Sequence, residues 1–320
     1  MRFYFFLLYC ITAPFFLRLH AEEAPGFFTE VAALYWKAQV NGLSYAIESP
    51  SPANLSSSSI KKPSFDWDFG FKVGIGYRIR HDAWEFLLRF TSLQTHTDSH
   101  NHDEVLHPGW LLPNNSITPV ADEAKMHWRL HLGVLDFLLR NPFYPGRSLQ
   151  LRPAIGIRSA WIRQKYNLEY RGGSLEPDRE AMIRTKNKFF GIGPTCGLYA
   201  QWDIKGGFAL FSEAAFSVLF GEFYLHQDED LFESKEKILG IHNIYHQSAS
   251  ILDGTLGVMW QRYFQGTLKC VEVALAWDQS VYFAQNQLMR FVSHNALGDI
   301  VANQGDLSIS GVQLSARLDF

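Results

Sequence analysis

The 320-residue chain has a formal net charge of -3, so it has room for one large domain or two small ones and lacks the basic excess of a nucleic-acid binder. Aromatic residues make up 15% of it, rich for a soluble domain, yet a mean hydropathy of -0.10 alone would suggest one. Strands that alternate between lipid and a polar lumen reconcile the two values, because their faces average out.

Arg2, the apolar run Phe3 to Leu17, and Ala21 before Glu22 and Glu23 read as a secretory signal peptide over residues 1–21, leaving 22–320 as the folded domain. No later run is apolar and long enough for a spanning helix. Phe27 to Ala38 is a plausible first strand with mixed faces. Phe65 to Arg78 then alternates strictly: Phe65, Trp67, Phe69, Phe71, Val73, Ile75 and Tyr77 on one face, only charge and glycine on the other. Ala83 to Thr97, Lys125 to Arg140, Ser148 to Ile162 and Phe189 to Ile204 repeat the pattern. In Lys125 to Arg140 the apolar set is Met126, Trp128, Leu130, Leu132 and Val134, opposite His127, Arg129, His131 and Gly133. Phe208 to Phe220, Ser250 to Arg262, Thr267 to Phe283 and Gly311 to Phe320 complete the set.

This predicts an all-β fold of about ten strands. The connections alternate: short at Arg80 to Asp82, Asn141 to Arg147, Lys205 to Gly207 and Gln265 to Gly266; long and polar at Gln39 to Ser64, Asp98 to Ala124, Arg171 to Thr185, Leu225 to Gln247 and Asn286 to Asp306. That is the arrangement of a closed antiparallel transmembrane barrel with short periplasmic turns and long external loops. Lipid offers no hydrogen bonds, so the sheet must close on itself, greasy outside and polar inside. Trp67 and Tyr77 would then sit at the two headgroup levels. Twelve strands result if part of a long loop hairpins back into the wall. A soluble β-sandwich or lipocalin-like barrel needs the same alternation with the greasy faces inward, but seldom carries so many Trp and Phe on its strands.

Several blocks resemble one family. "LYWKAQVNGLSYA", "FDWDFGFKVGIGY", "LRPAIGIRSAWI", "NKFFGIGPTCGL" and "QNQLMRF", in order along the chain, look like the pore-forming major outer membrane protein-like family of Legionella and chlamydia-related bacteria. The resemblance implies the outer membrane of a Gram-negative bacterium and a porin-type role, and brings no catalytic residues with it. Asp278 stands where the family pattern leads one to expect a glutamate. The terminal Phe320, with apolar residues alternating back to Val312, resembles the signal that barrel-assembly machinery reads.

Lys72, Arg78, Glu85, Arg89, Arg129, Arg152, Arg158, Glu213, Glu272 and Asp278 are expected to face the lumen, where mixed signs can pair across the bore or line an ion path. Ten strands enclose a narrow space, so a small pore or nearly filled lumen is favoured over a wide channel. In "HTDSHNHDEVLH", His96, His100, His102 and His107, with Asp98, Asp103 and Glu104, are candidate ligands for zinc, copper or nickel, against the plainer reading of a solvated loop. Catalysis is not expected: His127 and His131 alternate away from Asp136, and no Gly-x-Ser-x-Gly elbow occurs. Cys196 and Cys270 fall on different strands and faces and are expected to stay unbridged. The expected function is passive transport of small solutes, with a surface-exposed structural or adhesin barrel as the alternative. No cofactor is implied. The expected partners are outer-membrane lipid, the barrel-assembly machinery and small solutes, and a homo-oligomer is compatible with the sequence.

Overall fold

Phe69 is 78% exposed on its strand while the charged and glycine positions between its apolar neighbours point the other way, as alternation dictates. In the computed structural model, residues 26–52, 56–80, 84–111, 119–175, 180–231, 236–264, 266–291 and 300–320 are described; the expected signal peptide lies outside them. The wall is made of β1 (Gly26–Val40), β4 (Trp67–Arg78), β5 (Glu85–Pro108), β6 (Ala121–Arg140), β7 (Leu149–Arg171), β8 (Glu180–Asp203), β9 (Phe208–Leu231), β10 (Glu236–Tyr263), β11 (Cys270–Phe291) and β12 (Ile300–Asp319). Each pairs antiparallel with the next, and β1 pairs with both β4 and β12, so the ten-stranded sheet closes. Both chain ends of the wall lie at the short-turn end, where the Phe320 N–H donates to the Phe27 carbonyl at 2.8 Å.

The first long connection does form a hairpin, β2 (Ala46–Glu48) with β3 (Ser59–Lys61). It pairs only with the far end of β5, Leu106 to Pro108, and adds no stave to the wall. Glu48 accepts hydrogen bonds there from Lys61 at 2.7 Å and Ser59 at 2.6 Å, which hold its carboxyl below the usual range.

The strands are longer than the sequence reading made them. β5 and β7 to β11 run 22 to 28 residues, where a membrane crossing needs only about 9–11. Most of the polar connections expected at the external end are wall. β11 continues past a bulge between Tyr282 and Asn286, where Ala284 takes a φ of 51°.

The extra length explains a reversal of faces. On β7, Leu149, Ile155, Ile157 and Trp161 point outward, but from Arg163 the outward residues are Arg163, Lys165, Asn167 and Glu169. Inward, Gln150, Arg152 and Arg158 give way to Ile162, Tyr166, Leu168 and Tyr170. Below the switch the surroundings are hydrocarbon; above it they are water, and the wall follows the soluble rule of apolar inside and polar outside. β6 inverts in the same way. Its set Met126, Trp128, Leu130, Leu132 and Val134, grouped in the sequence with the greasy faces turned outward, is buried inside the barrel, so that grouping is corrected for this strand.

Aromatic rings mark both rims of the apolar belt. Tyr35 stacks on Trp67 at 5.3 Å and Trp67 meets Trp277 edge-on at 6.2 Å; at the short-turn end Phe27 lies 4.9 Å from Tyr77. Ile155 is outward, 60% exposed and deep within this belt. Ile155→Arg is expected to lower stability in lipid by about 2–4 kcal/mol, and Arg129→Leu to change it little, as measured by urea unfolding in liposomes.

Candidate functional site

The lumen has two zones. The membrane-level zone is charged, and its pairs reach across the bore. Near the short turns Arg78 donates to Glu85 at 2.6 and 2.9 Å, and Arg317 of β12 reaches the same carboxylate at 3.2 Å and Asp319 at 2.7 Å. The Arg317 guanidinium also lies 4.0 Å over the Phe28 ring. One layer up, Arg158 donates to Asp136 at 2.6 Å and pairs with Asp253, while Arg89 of β5 sits 3.4 Å from both Asp136 and Glu213 of β9. Lys72 donates to Asp278 at 2.9 Å and Gln313 at 2.7 Å, with Thr255 also donating to Asp278 at 2.7 Å. Links such as β5 to β9 are possible only because the bore is narrow enough for side chains to meet in the middle.

Small cavities remain among these ions. One of about 110 Å³ is lined by Glu30, Lys72, Arg89, Arg152, Glu213 and Arg317; another of about 50 Å³ touches Asp136, Arg158, Asp253, Asp278 and Ser280. Each has room for waters.

An apolar collar lines the bore from β1 round to β10, its β1 end level with the ions and the rest running toward the external end. Leu34, Leu93, Leu132, Ile162, Phe189, Phe223 and Tyr245 point inward in one continuous register row, β1 to β10, through Gly70 on β4. Phe189 and Phe223 lie 4.6 Å apart, and Phe223 stacks on Tyr245 at 5.5 Å. Gly70 is required there, since a Cβ would come within 2.6 Å of the Ser92 carbonyl. The first external segment caps the collar: Tyr166 donates to the Leu43 carbonyl at 3.0 Å, Tyr170 to Tyr45 at 2.5 Å and Trp110 to Ser44 at 2.7 Å.

Of the ten lumen residues expected from the sequence, Lys72, Arg78, Glu85, Arg89, Arg152, Arg158, Glu213, Glu272 and Asp278 do point inward at membrane level. Arg129 does not. It is exposed on the outer face above the belt, because β6 has inverted by that point. Glu30, Asp136, Arg140, Asp253 and Arg317, outside that group of ten, also point inward; strand parity carried the signal, since Arg317 alternates with Leu314 and Leu318.

The four histidines do not converge. His96, His100 and His102 stand on the outer face of β5, His96 and His100 about 13 Å apart along the strand, while His107 points inward and bonds Ser49 at 2.8 Å. His100 is held by Glu123 at 2.7 Å; the Asp103 and Glu104 side chains lie outside the described residues. Among the described residues no group of three or more side chains could hold a metal ion. The single metal site read from this segment is therefore not assembled, since strand geometry separates its ligands. Zinc titration of the His100→Ala, His102→Ala double variant is expected to give the same affinity as the parent. Cys196 is exposed and Cys270 buried, and no disulfide joins them.

A closed antiparallel wall, an aromatic-rimmed apolar belt and a charged interior define an outer-membrane β-barrel. The chain belongs to the Legionella pneumophila major outer membrane protein family, whose model matches residues 20–320, and its place is the outer membrane. No curated protein sequence matches the chain. Among solved structures it is similar to the outer membrane protease OmpT of Escherichia coli, at 12% identity and a TM-score of 0.45, covering 95% of this chain and 99% of that one. It is also similar to the toluene transporter TbuX of Ralstonia pickettii, at 11% identity and a TM-score of 0.32 over 97% and 92% of the two chains. A FadL homologue of Pseudomonas aeruginosa matches at 7% identity and a TM-score of 0.30, covering 92% and 90%.

Proposed function

We propose that the protein is a pore-forming outer-membrane protein that passes ions and small hydrophilic solutes passively, acting by passage and not by catalysis. The observation that carries this reading is the mixed-sign lumen at membrane level, bounded toward the external end by an apolar collar. Charged groups replace part of an ion's hydration, while an apolar ring excludes water until it is wetted, so the collar acts as a hydrophobic gate above a charged vestibule. Cations and carboxylates nearly balance there, which gives no strong preference of sign.

A second reading, a structural or adhesive barrel with little conductance, is favoured by one observation: the external half of the lumen is filled by Trp128, Leu130, Tyr166 and the Leu43 to Tyr45 segment. Planar-bilayer recording of refolded protein separates the two. Stepwise openings that scale with salt are expected for a pore. Silence at all voltages, with loop-dependent attachment to a surface, would favour the structural barrel.

A further inference from the structure

We propose that the outer face of β6 to β8, just above the apolar belt, binds the phosphates of an anionic glycolipid in the outer leaflet. This rests on the outer-membrane orientation of the barrel and is independent of whether the lumen conducts. Register brings the cations together: Arg129 faces Lys165, Lys165 faces Lys186, and one pair lower Arg163 faces Lys188. All five stand outward, and like charges directly opposite one another in a sheet repel.

Several outward bases nearby have acids. His127 pairs with Asp98 at 2.7 Å, His226 with Asp228 at 2.7 Å, Arg184 with Asp230, and His246 with Glu222 at 3.5 Å. Among the described residues, none of the five central cations makes an ion pair; Lys188 has only the Tyr224 ring, 5.0 Å away. His96 opposite Arg129 and His131 opposite Arg163 bring no acid either, and a block of five cations without carboxylates fits an anion supplied from outside.

Their height identifies that anion. Arg163 is the next outward residue after Trp161 on β7, and Lys188 the next after Phe190 on β8, where Trp161 and Phe190 pack at 5.8 Å on the upper edge of the belt. Lipid phosphates sit at this level, and each Lys or Arg near them adds attraction. Lower on the same sheet, an apolar groove between Leu139, Ile155, Pro194, Cys196 and Phe216 offers acyl chains a concave surface. Charge above and groove below fit a phosphorylated headgroup whose chains lie along the wall.

The test uses the full folded protein in an uncharged detergent, titrated with bis-phosphorylated lipid A, with the same lipid dephosphorylated, and with inorganic pyrophosphate. Saturable binding of the phosphorylated lipid is expected, weakening with salt. Removing its phosphates, or making R163Q, K165Q, K186Q and K188Q together, is expected to weaken it at least about tenfold. A control replacing Lys37, Lys205 and Lys269 by Gln should bind as the parent does. Equal affinity for the dephosphorylated lipid overturns the proposal even if the quadruple variant fails to fold. Pyrophosphate binding as tightly as the lipid overturns it too, by showing a site for free phosphate.

Discussion

Replacing Asp136 by alanine is expected to cost about 3–5 kcal/mol of folding free energy, measured by urea unfolding in detergent or liposomes. Asp136 is 2% exposed and accepts from Arg158 at 2.6 Å and from Arg89 at 3.4 Å. Its loss strands one guanidinium beside Asp253 alone and leaves the other leaning on Glu213. The main cost comes from charges left without compensation, more than from the attraction removed. Replacing the trio of Asp136, Arg158 and Asp253 together by apolar residues of similar size is accordingly expected to recover much of the loss. The size of the single effect also reports on the bore. A loss below about 1 kcal/mol would mean that these ions are as well hydrated as surface pairs, which a filled lumen does not allow.

The belt was legible in the sequence because lipid imposes one rule along a whole stave. Trp67, Phe69, Phe71, Val73 and Ile75 alternate with charge and glycine and so share one apolar face, and the structure exposes all five. Short turns were legible for a related reason, since few residues can connect adjacent antiparallel strands. The external half was not, because its chemistry reverses. "KYNLEYR", Lys165 to Arg171, alternates as well as any belt strand, but with Lys165, Asn167 and Glu169 outside and Tyr166, Leu168 and Tyr170 inside. Period-2 alternation fixes which residues share a face and is silent about which face is in. Without the height of the membrane, alternation alone places Arg129 in the lumen and Leu130 in lipid. The inverse assignment holds for both, and strand parity alone separates His96, His100 and His102 from His107. Contacts across the bore, such as Arg89 with Glu213, come from strands far apart in sequence and follow from barrel closure, which no single stave encodes.

The collar gives the transport reading its sharpest consequence. Leu132 and Ile162 face each other in register, are 3% and 1% exposed, and lie one inward row above Val134 and Ala160, beyond which the ion network begins. If dry side chains at this row are what stops conduction, Leu132→Ser with Ile162→Ser should admit water there. The double variant is then expected to raise single-channel conductance or open probability at least about tenfold over the parent, because a hydrophobic constriction conducts only when wetted. The same change removes buried apolar volume, so stability should fall by about 2–5 kcal/mol per site. The two readouts separate cause from damage. Leu130→Ala, in the row above, should carry a similar stability cost without hydrating the ring, and its conductance should stay near that of the parent. If both variants lose stability and neither conducts more, the blockage lies in the whole external half of the barrel, in the Trp128, Tyr166 and Leu43 packing, and the protein is held shut by its core and not by a gate.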